Sequence, residues 1–396
     1  MQKFSIAIVG GGPAGMVAAI SAKRKGSSVV ICEKMPSLGK KLLASGNGRC
    51  NLSNDKLDDG CYNDQARPLI RSVFNKFGGQ EIKNFFKELG LEIYSDDTGR
   101  IFPVTNQSAS VLKILEMEIG RLSIPLELSF EVSGISASNE GFLVTSKSNK
   151  KIACGSLILA AGGKTYPALG SDGNAYRLAA HFSHNIVEPV PAAVPIVVKD
   201  ILCHLLQGQK IAATAKSIIG GKVFSQASGE LMFTKYGLSG TAILDVSDEV
   251  SIALNRKNEK DVFISIDMVP FMKREAIQSE VARRIASGFS GEELIAGILP
   301  NKFGAALKGL LATRTPEVIA AGLKDRLFKA IGTRGWNEGE FTAGGVDLRE
   351  VAESTLASKL KKGLYFAGEV LDVNGRRGGY NLAWAWASGF VAGLAV

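Results

Sequence analysis

Cysteine is sparse and unpaired in this chain: five residues in 396, at 32, 50, 61, 154 and 203, with no CxxC spacing. A zinc cage or a dithiol redox couple is therefore not expected, and reduced thiols in a cytoplasmic protein fit best. Histidine is scarcer still, with three residues, His181, His184 and His204, and no defensible metal-ligand spacing joins them to Asp, Glu or Cys. They read as surface or satisfied core histidines, and no metal site is expected. Long apolar runs are also missing. The apolar tail, Leu382 to Val396, falls short of the roughly 20 residues a bilayer span requires, and its Gly and Ala suit a helix pressed against a backbone. The N-terminus enters a strand pattern directly, without the three regions of a secretory leader. No basic run exceeds Lys23-Arg24-Lys25, so the net charge of +9 reads first as ordinary surface charge and only weakly as the footprint of an anionic partner such as RNA.

What is present is a globular composition, 45% hydrophobic and 21% charged, with length for two or three domains. The segment Ile6-Ala-Ile-Val-Gly-Gly-Gly-Pro-Ala-Gly15 reads as a strand, a tight turn and the start of a helix that runs from Met16 to Lys25. Gly10 permits the turn, Gly12 removes a Cβ that would block a pyrophosphate, and Gly15 lets helix and strand pack closely. The helix N-terminus offers unpaired N–H groups to phosphate. A second apolar run, Ser28 to Cys32, ends in Glu33, at about the 20-residue spacing of a dinucleotide site, where a carboxylate would accept ribose hydroxyls.

Further along, Lys34 to Asn54 is polar and glycine-broken, and its cluster of Gly46, Gly48, Arg49, Cys50 and Asn51 gathers N–H groups, a cation and polar side chains. Two helices broken at Gly78-Gly79 are expected between Arg67 and Leu89, a hairpin turn at Asp96 to Arg100, and a helix over 108–122. Residues 126 to 154 alternate as a three-stranded meander and lead into a buried parallel strand, Ser156 to Gly163; a helix over 172–182 follows. Three prolines between Glu188 and Pro195 mark a crossing between domains. Residues 196 to 269 read as largely β, although 239–254 has helical character, and 271 to 330 reads as helical with an excess of Lys and Arg. The late strand Leu364 to Glu369, its glycine loop and the final helix return the chain to the first sheet. The fold class expected is α/β, a Rossmann-like dinucleotide-binding domain (1–189 and 333–396) interrupted by two inserts (190–270 and 271–332), which the resemblance given next implies to be an FAD-binding domain with a β-barrel-like domain and a small helical domain.

Taken together, GxGxxG with Glu33, the small-residue strand end Ala160-Ala-Gly-Gly163, and Phe366-Ala-Gly-Glu369 resemble the two-dinucleotide-binding-domain flavoproteins. No second GxGxxG is present, so a dedicated NAD(P)H domain is not expected. Gly39-Lys-Lys-Leu-Leu-Ala-Ser-Gly-Asn-Gly-Arg-Cys-Asn51, Gly99 to Pro103, Gly162 to Pro167, Gly229 to Gly240, Thr342 to Val346 and Gly368 to Asn381 resemble, more narrowly, a three-domain family of bacterial flavoproteins. That family includes the 23S ribosomal RNA dihydrouridine synthase, aminoacetone oxidases and a bile-acid-pathway reductase. Asn47 stands where the family has glycine, and Ala383 where it has Gln.

The resemblance implies non-covalent FAD, with NAD(P)H as a transient electron donor. Gly12 and Gly15 would approach the pyrophosphate, Glu33 the adenosine ribose and Glu369 the ribityl hydroxyls. Gly10, Pro13, Ala14, Lys34, Lys41, Gly48, Ala161, Gly162, Gly368 and Gly379 complete the expected cofactor contacts. Arg49, Cys50 and Asn51 would line the flavin, and Tyr380 and Asn381 would contact its ring or cap the final helix. Arg49 would sit near the pyrophosphate or favour the reduced flavin's negative charge; as an ordinary loop arginine it would pair with a carboxylate. Cys50 would donate a proton to substrate carbon if its thiol is accessible, and is otherwise a buried residue. The activity implied is reduction of uridine to dihydrouridine in ribosomal RNA. An oxygen-using, aminoacetone-type amine oxidase and a non-catalytic flavin-bearing RNA-binding protein are the alternatives.

Overall fold

The computed structural model describes residues 2–396. It divides into two units, Met1–Pro189 with Phe341–Val396, and Val190–Glu340.

The first unit is built on a mixed seven-stranded sheet. Gln2–Val9 is at its centre, parallel to Val29–Cys32 on one side and to Lys151–Leu159 on the other. Val29–Cys32 and the second halves of the two longer strands, residues 6–9 and 157–159, are apolar and buried because both faces are covered there, as parallel sheets require. The last strand of the meander and the buried parallel strand expected to follow it are one element, Lys151–Leu159. Lys151–Leu159 pairs antiparallel with Gly141–Ser146 along its first half and parallel with Leu364–Phe366 along its second. One strand thus joins the meander to the dinucleotide-binding sheet and accepts the chain's late return.

The helix Pro13–Arg24 packs against the final helix, Tyr380–Ala395. The contact is backbone on backbone: a Cβ on Gly389 would stand 2.3 Å from the Ala14 carbonyl oxygen, and one on Gly393 2.4 Å from that of Ala18. Ser21 Oγ and Lys25 Nζ donate to the carbonyls of Phe390 and Leu394 farther along. The small residues of the tail therefore serve this approach. The loop from Lys34 is more structured than its composition implies, holding the short helix Lys40–Ala44 and the strand Ser53–Asn54.

In the second unit, six strands close a barrel in the order Ile196–Val198, Gly237–Ser239, Lys222–Thr234, Lys210–Ile219, Val262–Asp267, Arg326–Thr333. The closing strand comes after the helices, pairing with both Ile196–Val198 and Val262–Asp267. The divisions at 190–270 and 271–332 are corrected accordingly: the helical segment is inserted into the barrel before its last strand. Ile277, Leu294, Phe303 and Ile319 share one core with Ile264 and Phe328. The return to the first unit lies at Phe341, not 333, because 326–333 belongs to the barrel.

Replacing Gly393 by Ala should destabilise the first unit by on the order of 2 kcal/mol, since backbone cannot yield to the new methyl. Gly120→Ala, in a helix where the methyl meets nothing within 4 Å, should stabilise by up to about 1 kcal/mol. Urea denaturation of both variants checks the pair; equal midpoints would contradict the packing described.

Candidate functional site

Cys32, Val9, Leu159 and Phe366 stand in one register row across four parallel strands. The segments leaving that row, which begin at Glu33, Gly10, Ala160 and Ala367, therefore start along one edge. This is the carboxyl edge where open α/β sheets bind ligands.

Gly10 adopts φ +112°, and a Cβ there would lie 2.5 Å from the Ala160 carbonyl oxygen. A Cβ on Gly15 would lie 1.9 Å from the Gly10 oxygen, so the helix can begin this close only with glycine. Gly12 differs: nothing lies within 4 Å of its Cβ position. It is the N-cap of Pro13–Arg24, with no side-chain cap and no acidic residue in the first turn, leaving the helix's N–H groups and dipole for an anion. Glu33 is buried, and its Oε2 and Oε1 accept from the N–H groups of Gly11 and Met35 at 2.6 and 2.7 Å. The carboxylate thus shapes the glycine turn and retains acceptor lone pairs.

On the neighbouring loops, Lys41 Nζ donates to Glu369 Oε2 at 2.8 Å and to Thr165 Oγ1 at 2.7 Å. Glu369 Oε1 accepts from the Thr342 N–H at 2.8 Å. Gly163 is fixed by this knot, since a Cβ would come 2.4 Å from Thr342 Oγ1 and 2.9 Å from Glu369 Oε1. Thr165 and Thr342 had no assigned role, although both lie in the motifs Gly162 to Pro167 and Thr342 to Val346. Lys34 pairs with Asp172 at 2.7 Å. A cavity of about 440 Å³ opens beside Asp172 and is lined also by Glu131, Lys147 and Arg177.

Among the buried polar atoms without a hydrogen-bond partner in the described residues are Asn51 Oδ1 and Ser171 Oγ. Gly379 approaches the first, its Cβ position 2.8 Å away, and Gly162 the second at 3.1 Å. Orphaned acceptors and donors beside two expected cofactor glycines fit a polar ligand along this edge, so the residues present suit a dinucleotide cofactor. Pro13 and Ala14 form the first turn of the open helix, a Cβ on Gly368 would meet Ala14 Cβ at 2.8 Å, and Ala161 is half-buried beside Gly10.

The final helix is capped by Gly379, at φ +102°, without a side-chain bond. The capping alternative for Asn381 is corrected: its Oδ1 accepts from Gly375 N–H and its Nδ2 donates to the Gly375 carbonyl, bracing the preceding loop. Tyr380 is held through its carbonyl, which accepts from Tyr62 OH at 2.7 Å. Its own phenol is pushed up to about 12, chiefly by burial.

In the loop between, Gly48 (φ +82°) and Asn47 (φ +54°) are left-handed, a conformation that glycine adopts freely and that Asn tolerates. Arg49 is exposed and has its guanidinium 4.8 Å from the centre of the Phe102 ring; it stacks rather than pairing with a carboxylate. Cys50 is fully buried, and burial pushes its thiol up to about 12. The accessibility required of a proton donor is not met, so the catalytic role expected for Cys50 is corrected to packing. His184 is also internal, with Nδ1 3.1 Å from Glu350 Oε2 and Nε2 2.7 Å from Ser358 Oγ. Among the described residues there is no cluster of three or more metal-ligating side chains and no helix long and apolar enough to cross a membrane.

The family model described as the HI0933-like protein Rossmann domain matches residues 4–395. The chain is 35% identical to the 3-dehydro-bile acid delta(4,6)-reductase of Clostridium scindens, over 98% of each. It is 28% identical to the ribosomal RNA dihydrouridine synthase of Escherichia coli, over 98% of this chain and 96% of the relative. The solved structure of 3-ketosteroid delta1-dehydrogenase from Sterolibacterium denitrificans shares the fold, with TM-score 0.53 and 14% identity over 99% of both chains.

Native alkylation with iodoacetamide should modify Cys61, the one partly exposed thiol of the five, and spare Cys50 until the protein is unfolded. Peptide mass spectrometry reads the result, and rapid native labelling of Cys50 would restore it as a reactive group.

Proposed function

The chain belongs to the HI0933-like Rossmann family and is an FAD-dependent oxidoreductase; on that premise we propose that it reduces a carbon–carbon double bond conjugated to a carbonyl, and that its substrate is uracil in ribosomal RNA. The observation that carries the redox part is the common edge of four strands, with an uncapped helix N-terminus at Gly12 and orphaned polar atoms at Asn51 and Ser171. FAD, once reduced, supplies the hydride. The chain's own part is to hold the dinucleotide: Gly12 and Gly15 along the pyrophosphate, Glu33 at the adenosine ribose, and Glu369, steadied by Lys41, at the ribityl hydroxyls. Arg49 meets negative charge as the carbonyl is polarised. With Cys50 buried, the proton for the second carbon comes from solvent or from the substrate side. NAD(P)H is the proposed source of electrons, docking transiently.

The substrate reading is supported by chemistry common to two relatives. The uracil C5–C6 bond is conjugated to its C4 carbonyl, and the 4,6 double bonds of a 3-dehydro-bile acid are conjugated to its 3-oxo group. Either accepts a hydride at one carbon and a proton at the other. A second reading, a small 3-oxo-Δ4,6 steroid as substrate, is favoured by the higher identity, 35%, to the bile-acid enzyme.

Purified protein with FAD and NADPH should convert uridine to dihydrouridine in 23S RNA from cells lacking the gene, read by nucleoside mass spectrometry. Arg49→Ala should slow this about 10- to 100-fold while FAD is retained. Turnover of the steroid enone with no dihydrouridine in RNA would overturn the first reading in favour of the second.

A further inference from the structure

The barrel of the second unit carries an outward face that its own core does not use. Val223 is registered opposite Ile218, Ile218 opposite Phe263, and Phe263 opposite Lys329, a row across four strands. The alternating positions Ser217, Ile264 and Phe328 are buried in the barrel, so by the period of a strand this row points away from it. The register shifts between Ser217 and Ile218, which leaves Phe224 as the extra residue of a bulge. Val223 and Phe224 are 58% and 54% exposed, and Leu327 and Ile331, on the strand of Lys329, are 53% and 55% exposed.

Lysines stand among these apolar side chains. Lys329 lies in the row and Lys216 on the same outward side, whereas Lys222, paired with Ile219 on the alternate side, is exposed at the hairpin end that rims the face. None of the three has an ion-pair partner among the described residues. The acidic residue at this edge is Asp261, whose carbonyl accepts from the Gly220 N–H.

Such a face has two obvious occupants. A second copy, packed about a two-fold axis, would bring the same lysines toward one another, at a cost in like-charge repulsion. A single-stranded polynucleotide meets both parts at once: bases stack on aromatic rings, and phosphates take the lysines. We propose that the outer barrel face around Phe224, Phe263, Lys216 and Lys329, with Lys222 at its rim, binds single-stranded RNA. This rests on the RNA reading above and extends it from the reacting base to the strand that carries it. Sheet faces with exposed aromatics and basic residues bind single strands with little sequence preference, so the face contributes affinity while the choice of uridine lies elsewhere.

The test uses the intact protein and a short fluorescent oligouridylate, with anisotropy followed over a series of KCl concentrations. Phe224→Ala should weaken binding at least about five-fold. A variant with Lys216, Lys222 and Lys329 all replaced by Gln should lower the slope of log affinity against log salt by about 2. The replaced side chains are exposed or half-buried, and circular dichroism checks that both variants fold. Unchanged affinity and salt slope in both variants would overturn the proposal. So would a face that drives self-association or binding to phosphatidylglycerol vesicles but not oligouridylate. Dihydrouridine synthesis at full rate by variants with unchanged RNA binding would remove the face and leave the reductase reading standing. RNA bound through this face without any dihydrouridine formed would leave the face and remove that reading.

Discussion

The candidate site depends on how closely backbone can approach backbone at the ends of four parallel strands. The Gly15 position lies against the Gly10 carbonyl, the Gly10 position against the Ala160 carbonyl, and Gly389 and Gly393 against the first helix. Each contact would be broken by one methyl group, and together they set where the helix N-terminus points. Gly12 sits among these crowded positions with open space beside it. Crowding fixes the frame, and that one opening is where an anionic group can reach the helix.

Charge is arranged around the frame with little redundancy. Lys41 and Glu369 are both about a quarter exposed, so their attraction is partly screened and contributes about 1 kcal/mol or less by itself. Its larger effect is positional, because Glu369 also holds the Thr342 N–H and ties the segment after the late strand to the short helix Lys40–Ala44. Arg49, by contrast, is held by the face of Phe102 rather than by a carboxylate. A guanidinium stacked in this way keeps its hydrogen-bonding edge free for a ligand.

Much of this was legible in the sequence. The first glycine turn, Glu33, the late Gly368-Glu369 and the small-residue tail each have a local pattern with a steric or electrostatic reason, and the structure puts the first three on one sheet edge. What was not legible came from pairing over long sequence distances. No local pattern says that Arg326–Thr333 closes a barrel begun at Ile196, because the helices between hide the strand's partner. Nor does sequence distinguish a buried Cys50 from an exposed one when its neighbours Gly48 and Arg49 are both exposed. Thr165 and Thr342 stood inside recognised motifs, but their link to Glu369 becomes apparent only when residues 165, 342 and 369 meet. Asn381 resembled a cap by residue type, whereas Gly379, able to take a positive φ, holds that position.

The central claim is that this strand edge is a cradle for FAD. The measurement that tests it most directly is the flavin released when the purified protein is denatured, identified by chromatography and counted against protein. The account expects FAD, approaching one per chain after incubation with the cofactor. A protein that folds normally yet takes up no FAD would contradict it.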